Sequence, residues 1–329
     1  MPYSPDVADR ETIDDGFSKG LGFFFQPSEE YWFDSHTHLR SIRSETDLVG
    51  LLDEWFARLD AFRLGKVMAI AKDPQAFPIY KEVSGRDPRF AWMLWLDPDN
   101  PDATLLGEAF ECNAAGLKLH NSPIMRGQYP VDIWLSDAWS RIFSMMEESG
   151  KPILWHVTQR KSTSPYHGGG LNSYWEEGSR RGVTATNEDL LQVTLRLLRD
   201  FPGLKIQGAH QLHVGLDHLS VLFDEFENLY VDTSCSWFVR WADVLYEHDR
   251  QVLRDFVLRY PDRILLGSDA PLAPGAIDEY LVQGFLCHTR CINQLRLPYD
   301  VLQKVAHGNA ERLYGTDPLS PVRRGNYRP

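Results

Sequence analysis

Residues 31–38 read YWFDSHTH, three aromatic side chains within the first three positions and two imidazoles, His36 and His38, at the end. Side chains two apart on an extended strand face the same side, so both imidazoles can point to one axis. Seven further short apolar runs follow: GKVMAIA (65–71), FAWMLWLD (90–97), GLKLH (116–120), KPILWHV (151–157), LKIQGAH (204–210), NLYVDTS (228–234) and RILLGSDA (263–270). Each has the length and composition of a strand buried in a parallel sheet. Amphipathic segments lie between them. ETDLVGLLDEWFARLDAF (45–62) has Ser44 as N-cap, SDAWSRIFSMMEESG (136–150) ends on Gly150 as a left-handed cap, and NEDLLQVTLRLLRDFPG (187–203) stops at Pro-Gly. Eight strand–helix units predict an α/β fold closed as a (β/α)₈ TIM barrel over residues 31–315. Residues 1–30 read as an N-terminal extension and 316–329 as a C-terminal tail. No GxGxxG follows the first run, which argues against a dinucleotide fold.

The polar residues of the runs cluster at their C-terminal ends. Lys118 and His120 close the fourth run, His156 the fifth, His210 the sixth and Asp269 the eighth. That rim is where barrel enzymes build their sites. Several imidazoles with one carboxylate suit Zn²⁺ or a similar first-row ion, and burying them without a cation would leave costly unpaired groups. Taken singly, a strand-end histidine or aspartate is ordinary structure; the set in phase on one rim is not. The connections 121–136 and 158–186 are long enough to be binding loops or lids. Arg126 could hold a carboxylate there, and Tyr166, Tyr174 and Trp175 could form an aromatic lid over a planar substrate. Asp232 and Cys235 flank the seventh run, where Asp232 could face the rim, and His213 and His218 read as capping or surface residues.

The chain has 329 residues and a formal charge of -12, with 43% hydrophobic and 24% charged residues. Such acidity disfavours nucleic acid and anionic membranes as partners, and no apolar run is long enough to cross a bilayer. The polar, acidic start lacks the features of a signal peptide. Cys112, Cys235, Cys287 and Cys291 are scattered without a CxxC pair, which predicts a reducing, cytoplasmic setting.

The order HxH, Lys, His, His, Asp on the first, fourth, fifth, sixth and eighth runs resembles the amidohydrolase superfamily. FDSHTH, GLKLH, LWH, GAH, LLGSDAP and VAHGNAERLYG (305–315) are most similar to its amidohydrolase-related, family 2, branch of hydrolases and decarboxylases. The resemblance implies one divalent metal, Zn²⁺ with Mn²⁺ or Fe²⁺ as alternatives, on His36, His38, His156 and Asp269. It implies catalytic roles for Asp269 and His210, and hydrolysis of an ester, lactone or amide in a small molecule by metal-activated water. The alternative is a non-oxidative decarboxylase or hydratase on a small carboxylic acid at the same site. A two-metal variant would carboxylate Lys118; otherwise Lys118, with His120, Arg126 and Trp175, is expected to touch substrate. A substrate that is aromatic or bears a carboxylate suits these residues, and dimers are common in the resembling family. A non-catalytic barrel would have lost a ligand, and none is missing here.

Overall fold

Strand β1 (Trp32–Leu39) pairs with β2 (Leu64–Ala71), and parallel pairing continues through β3 (Phe90–Trp95), β4 (Leu117–His120), β5 (Ile153–His156), β6 (Ile206–Gly208), β7 (Leu229–Asp232) and β8 (Ile264–Leu265). The computed structural model describes residues 31–40, 42–159, 174–234 and 247–319. The eighth apolar run splits in two. Its first half, β8, pairs with β7, and its second, β9 (Ala270–Leu272), pairs with β1. Between the halves Leu266 O accepts from Ser35 N and Asp269 N donates to His36 O, so the run bridges the two edges and closes the barrel. All the pairings are parallel, as right-handed strand–helix–strand crossovers require.

The core has two layers. Trp32, Val67, Trp92, Leu117 and Trp155 face outward against the helices. Phe33, Met68, Ile70, Met93, Leu154 and Leu265 face the barrel interior. Phe33 and His36 have opposite parity yet both reach the interior side. The register explains this: Asp34 opposes Val67, while Thr37 opposes Ala69, so β1 carries one extra residue there. Asp34 is thereby turned onto Tyr280 and Ser268, whose hydroxyls donate to its carboxylate at 2.8 and 2.5 Å.

The expected caps form. Ser44 Oγ accepts from Asp47 N at the start of α1 (Glu45–Leu59), and Gly150 ends α4 (Asp137–Ser149) at φ 64°. Helices α2 (Phe77–Arg86) and α3 (Ala103–Glu111) cover β2 to β4, and a short helix, α5 (Tyr174–Arg180), lies in the connection after β5. At the N-terminal pole Lys66, 1% exposed, donates to Asp317 O (2.6 Å) and Thr316 Oγ1 (3.3 Å) and lies 3.7 Å from Glu311. Leu319 is buried beside Tyr31, so residues 316–319 pack into the barrel floor. Among the described residues no helix is long and apolar enough to cross a membrane.

Candidate metal centre and its proton network

At the C-terminal rim a cavity of about 510 Å³ is lined by His38, Arg40, Trp95, Lys118, His120, His156, Tyr174 and Asp269, among others. Its size suits a small molecule. His36, His38 and Asp269 each bring one ligand atom within 4.8 Å of the others, and His156, His210 and His213 form a second such group. Asp269 Oδ1 lies 3.1 Å from His36 Nε2 and 2.9 Å from His38 Nε2, while Oδ2 lies 3.8 Å from His210 Nε2. His210 Nε2 and His156 Nδ1 are 3.0 Å apart and join the two groups.

Proton positions follow from the hydrogen-bond network. Ser234 Oγ donates to Asp232 Oδ1 (2.5 Å), so its only hydrogen is used. His210 Nδ1, 2.8 Å from Ser234 Oγ, must then donate to that oxygen. A neutral His210 therefore carries its lone pair on Nε2, 3.8 Å from Asp269 Oδ2, and accepts there from His156 Nδ1. This leaves a lone pair on His156 Nε2, which is buried and has no hydrogen-bond partner. His36 Nδ1 donates to Asp232 Oδ2 at 2.9 Å, which frees Nε2 as a ligand. His120 differs: its Nδ1 accepts from Ser122 N (2.9 Å), so its Nε2 carries the proton and can donate to a bound molecule. Two imidazole lone pairs and a carboxylate at one site, one lone pair orphaned and buried, are the donor set of a nitrogen/oxygen metal site. The residues fit such an ion.

Electrostatics agree. Burial holds His120 and His156 well below the ordinary imidazole range and lowers His210 to about 4, so all three are neutral. Burial and Lys118 oppose charging of His36, but Asp269 and Asp232 outweigh them and raise it. Burial would raise Asp269, yet His36 and His38 hold it well below the usual carboxylate range.

Asp232 is the residue whose weight the sequence reading understated. It is fully buried and accepts from His36 Nδ1, Gln207 Nε2, His210 N, Ser234 N and Ser234 Oγ. It thus orients one imidazole directly and a second through Ser234, the role that supporting carboxylates play behind metal ligands. Its signal was present: an aspartate at the end of the seventh apolar run obeys the same rim rule as Asp269. Gly267 gives it room. A Cβ there would lie 2.9 Å from Asp232 Cβ and 3.0 Å from His36 Cβ.

Other candidates sort by position. Lys118 is buried, with Nζ 3.1 Å from His36 Nε2. His120 lines the cavity, stacked between Trp95 (5.7 Å) and His156 (4.0 Å). Arg126 is not among the cavity-lining residues; it pairs with Glu177 (3.0 Å) and covers the Tyr174 ring (4.5 Å), which ties α5 down over the rim. His218 is exposed as expected, but His213, expected as a cap or surface residue, is half-buried and stacks on His210 at 5.0 Å. The reason is local backbone: residues 210–213 all have positive φ (59°, 49°, 57° and 49°), a left-handed turn that aligns the first and fourth side chains. Tyr166, Cys235 and the side chain of Trp175 lie outside the described residues.

A closed parallel barrel with histidines and aspartates converging at its C-terminal rim defines a metal-dependent class of (β/α)₈ enzyme. The chain belongs to the amidohydrolase family, whose model matches residues 51–316. The match begins beyond β1, so it includes His156, His210 and Asp269 but not His36 and His38. No curated protein matches the chain. Solved structures share the fold. A 5-carboxyvanillate decarboxylase from Sphingomonas paucimobilis is 15% identical, with TM-score 0.51 over 87% of this chain and 99% of that one. A probable 2-pyrone-4,6-dicarboxylic acid hydrolase from Acinetobacter baumannii is 10% identical, with TM-score 0.54 over 87% and 100%. A dihydroxybenzoic acid decarboxylase from Polaromonas, solved with manganese and 2-nitroresorcinol, is 14% identical, with TM-score 0.51 over 87% and 97%.

Proposed function

We propose that this chain is a metal-dependent hydrolase that cleaves an ester, lactone or amide bond in a small, planar, carboxylate-bearing molecule. The observation that carries this reading is the orphaned, buried lone pair of His156 Nε2, on a residue that lines the same cavity as His38 and Asp269. His36, His38, His156 and Asp269 would hold one divalent ion, Zn²⁺ or Mn²⁺, which when bound polarises a carbonyl and makes water a better nucleophile. His210, whose neutral Nε2 lies behind the cavity-lining His156 and Asp269, is the group that takes up a proton and returns it to the leaving group. Ser234 and Asp232 hold the other face of that ring and stabilise the imidazolium while it exists. Asp269 Oδ2, 3.8 Å from His210 Nε2, is the second proton acceptor. His120 Nε2–H is free to donate to a developing oxyanion. Lys118, with Nζ 3.1 Å from His36 Nε2, is read as an uncarboxylated amine beside a single ion. Residues 31–315 form the catalytic domain, and four scattered cysteines without a CxxC pair support a cytoplasmic setting.

The expected result for His210→Asn is a fall in turnover of about 10²–10⁴-fold with near-normal metal content, measured on a panel of lactones, esters and amides. Unchanged turnover would remove His210 from the mechanism, and two ions per chain in elemental analysis would overturn the single-ion site. One observation favours a second chemistry. The wall made by Trp95, His120 and Tyr174 suits an aromatic acid, and similar folds belong to aromatic decarboxylases. In that reaction His210 Nε2 would take up a proton from a substrate hydroxyl or water and pass it to the carbon that carbon dioxide leaves. Carbon dioxide release from aromatic carboxylates, with no turnover of esters or lactones, would establish it in place of hydrolysis.

A further inference from the structure

The cavity wall carries a cation that the chemistry above does not use. Along the end of β1 the even positions His36, His38 and Arg40 pass from buried to half-buried to exposed, and both His38 and Arg40 line the cavity. Successive residues on one strand face are about 6.6 Å apart, so Arg40 stands roughly one aromatic ring outward from His38. Its backbone is fixed, since Arg40 N donates to Leu272 O at 3.1 Å.

The other cations of the wall are engaged. Lys72 Nζ lies 2.9 Å from both oxygens of Asp97 and 4.0 Å over the Trp95 ring, and Lys118 contacts His36. Exposed arginines elsewhere commonly sit on carboxylates, as in Arg58–Asp278, Arg86–Glu45, Arg199–Glu225 and Arg259–Asp224. Among the described residues Arg40, the one arginine of the cavity wall, has no carboxylate partner. Arg43, Arg141 and Arg296 also have none, but they lie outside the cavity wall. A guanidinium without a carboxylate partner among the described residues, in a cavity wall that also holds Trp95, matches a planar carboxylate geometrically and electrostatically.

We propose that Arg40 binds a second, unreactive carboxylate of the substrate. The preferred substrate is then a planar molecule with an anionic substituent on the side opposite the bond that breaks, and that substituent survives the reaction. This rests on the reading of the cavity as the substrate site of a metal-dependent enzyme.

Calorimetric titration of the metal-loaded, full-length protein with benzoate and terephthalate tests it. Terephthalate is expected to bind about ten-fold or more tightly than benzoate, the worth of a charge-assisted fork. Arg40→Gln should bring the two within about three-fold by weakening terephthalate alone, with Arg40→Lys in between. Arg43→Gln, which removes an exposed charge outside the cavity wall, should change neither. The proposal is overturned if the wild type does not prefer terephthalate, if neither acid binds, if Arg40→Gln weakens both equally, or if Arg43→Gln has the same effect. Metal content of the same samples is measured separately. A loaded protein without the terephthalate preference sinks Arg40 alone, whereas a protein that holds no ion sinks the enzymatic reading beneath it.

Discussion

At the scale of single residues the site depends on Asp232 more than on any exposed group. Five donors converge on its carboxylate, and two imidazoles take their orientation from it. Asp232→Asn puts an amide N–H against at least one of those donors and removes the charge that favours Nε2 as the free nitrogen of His36. Metal affinity is expected to fall by about 10–100-fold in competition with a chelator, while circular dichroism stays unchanged. Gly267→Ala acts on the same atoms by crowding. Its Cβ would press on Asp232 and His36, and weaker metal binding than wild type is again the expected result. Tight metal binding retained in both variants would show that the ligand geometry does not depend on this support. The site histidines were legible in the sequence because each ends an apolar run. Asp232 ends one too, but a lone aspartate there is equally a helix cap, and only its five donors distinguish the two.

At the scale of elements the telling feature is the left-handed turn over residues 210–213. Each such residue costs about 1–2 kcal/mol in an L-chain, so the surroundings must hold it. Gln211 Nε2 donates to Asp232 O, and Thr158 Oγ1 donates to Leu212 O. The turn aims His210 Nε2 at His156 and sets His213 beside it. Thr158→Val removes one tie and leaves a buried carbonyl without that donor. It should cost about 1–3 kcal/mol of stability in denaturant unfolding and lower turnover more than metal content. Equal loss of both would mean that the turn supports the fold and has no separate part in aiming His210. Periodicity could not disclose this turn, because the run LKIQGAH reads as strand to its end, whereas the strand stops at Gly208.

Across the whole molecule the two poles of the barrel do different work. The C-terminal rim gathers the metal ligands. The floor is sealed by Lys66, Glu311, Tyr31 and His307, with Tyr31 OH donating to Glu311 and His307 Nδ1 3.0 Å from it. Burial pushes the Lys66 ammonium down to about 8, against an ordinary 10.5. The sign follows from linkage: between these values the unfolded chain holds the proton and the folded one does not, so stability contributed by this group rises with pH. The stability of the wild type relative to Lys66→Met should therefore increase by about 3 kcal/mol as pH rises from 8 toward 10.5. A difference that stays flat over that range would mean that Lys66 keeps its proton in the fold. Zn²⁺ or Mn²⁺ at a hundred times its dissociation constant should add about 2.7 kcal/mol to stability, seen as a rise in Tm that His38→Ala removes.

The sequence by itself determined the alternation of strand and helix, the closure into a barrel and the rim on which His36, His38, His156, His210 and Asp269 lie. These depend on composition and period along the chain, which local physics reads directly. Only the tertiary structure decided which nitrogen of each imidazole carries the proton, that Arg126 is spent on Glu177, and that Arg40 faces the cavity without a carboxylate. Those outcomes depend on the extra residue in β1, the left-handed turn after β6 and contacts between residues far apart in the chain, such as His38 with Asp269 at a separation of 231 positions, and no local pattern encodes a partner at that separation.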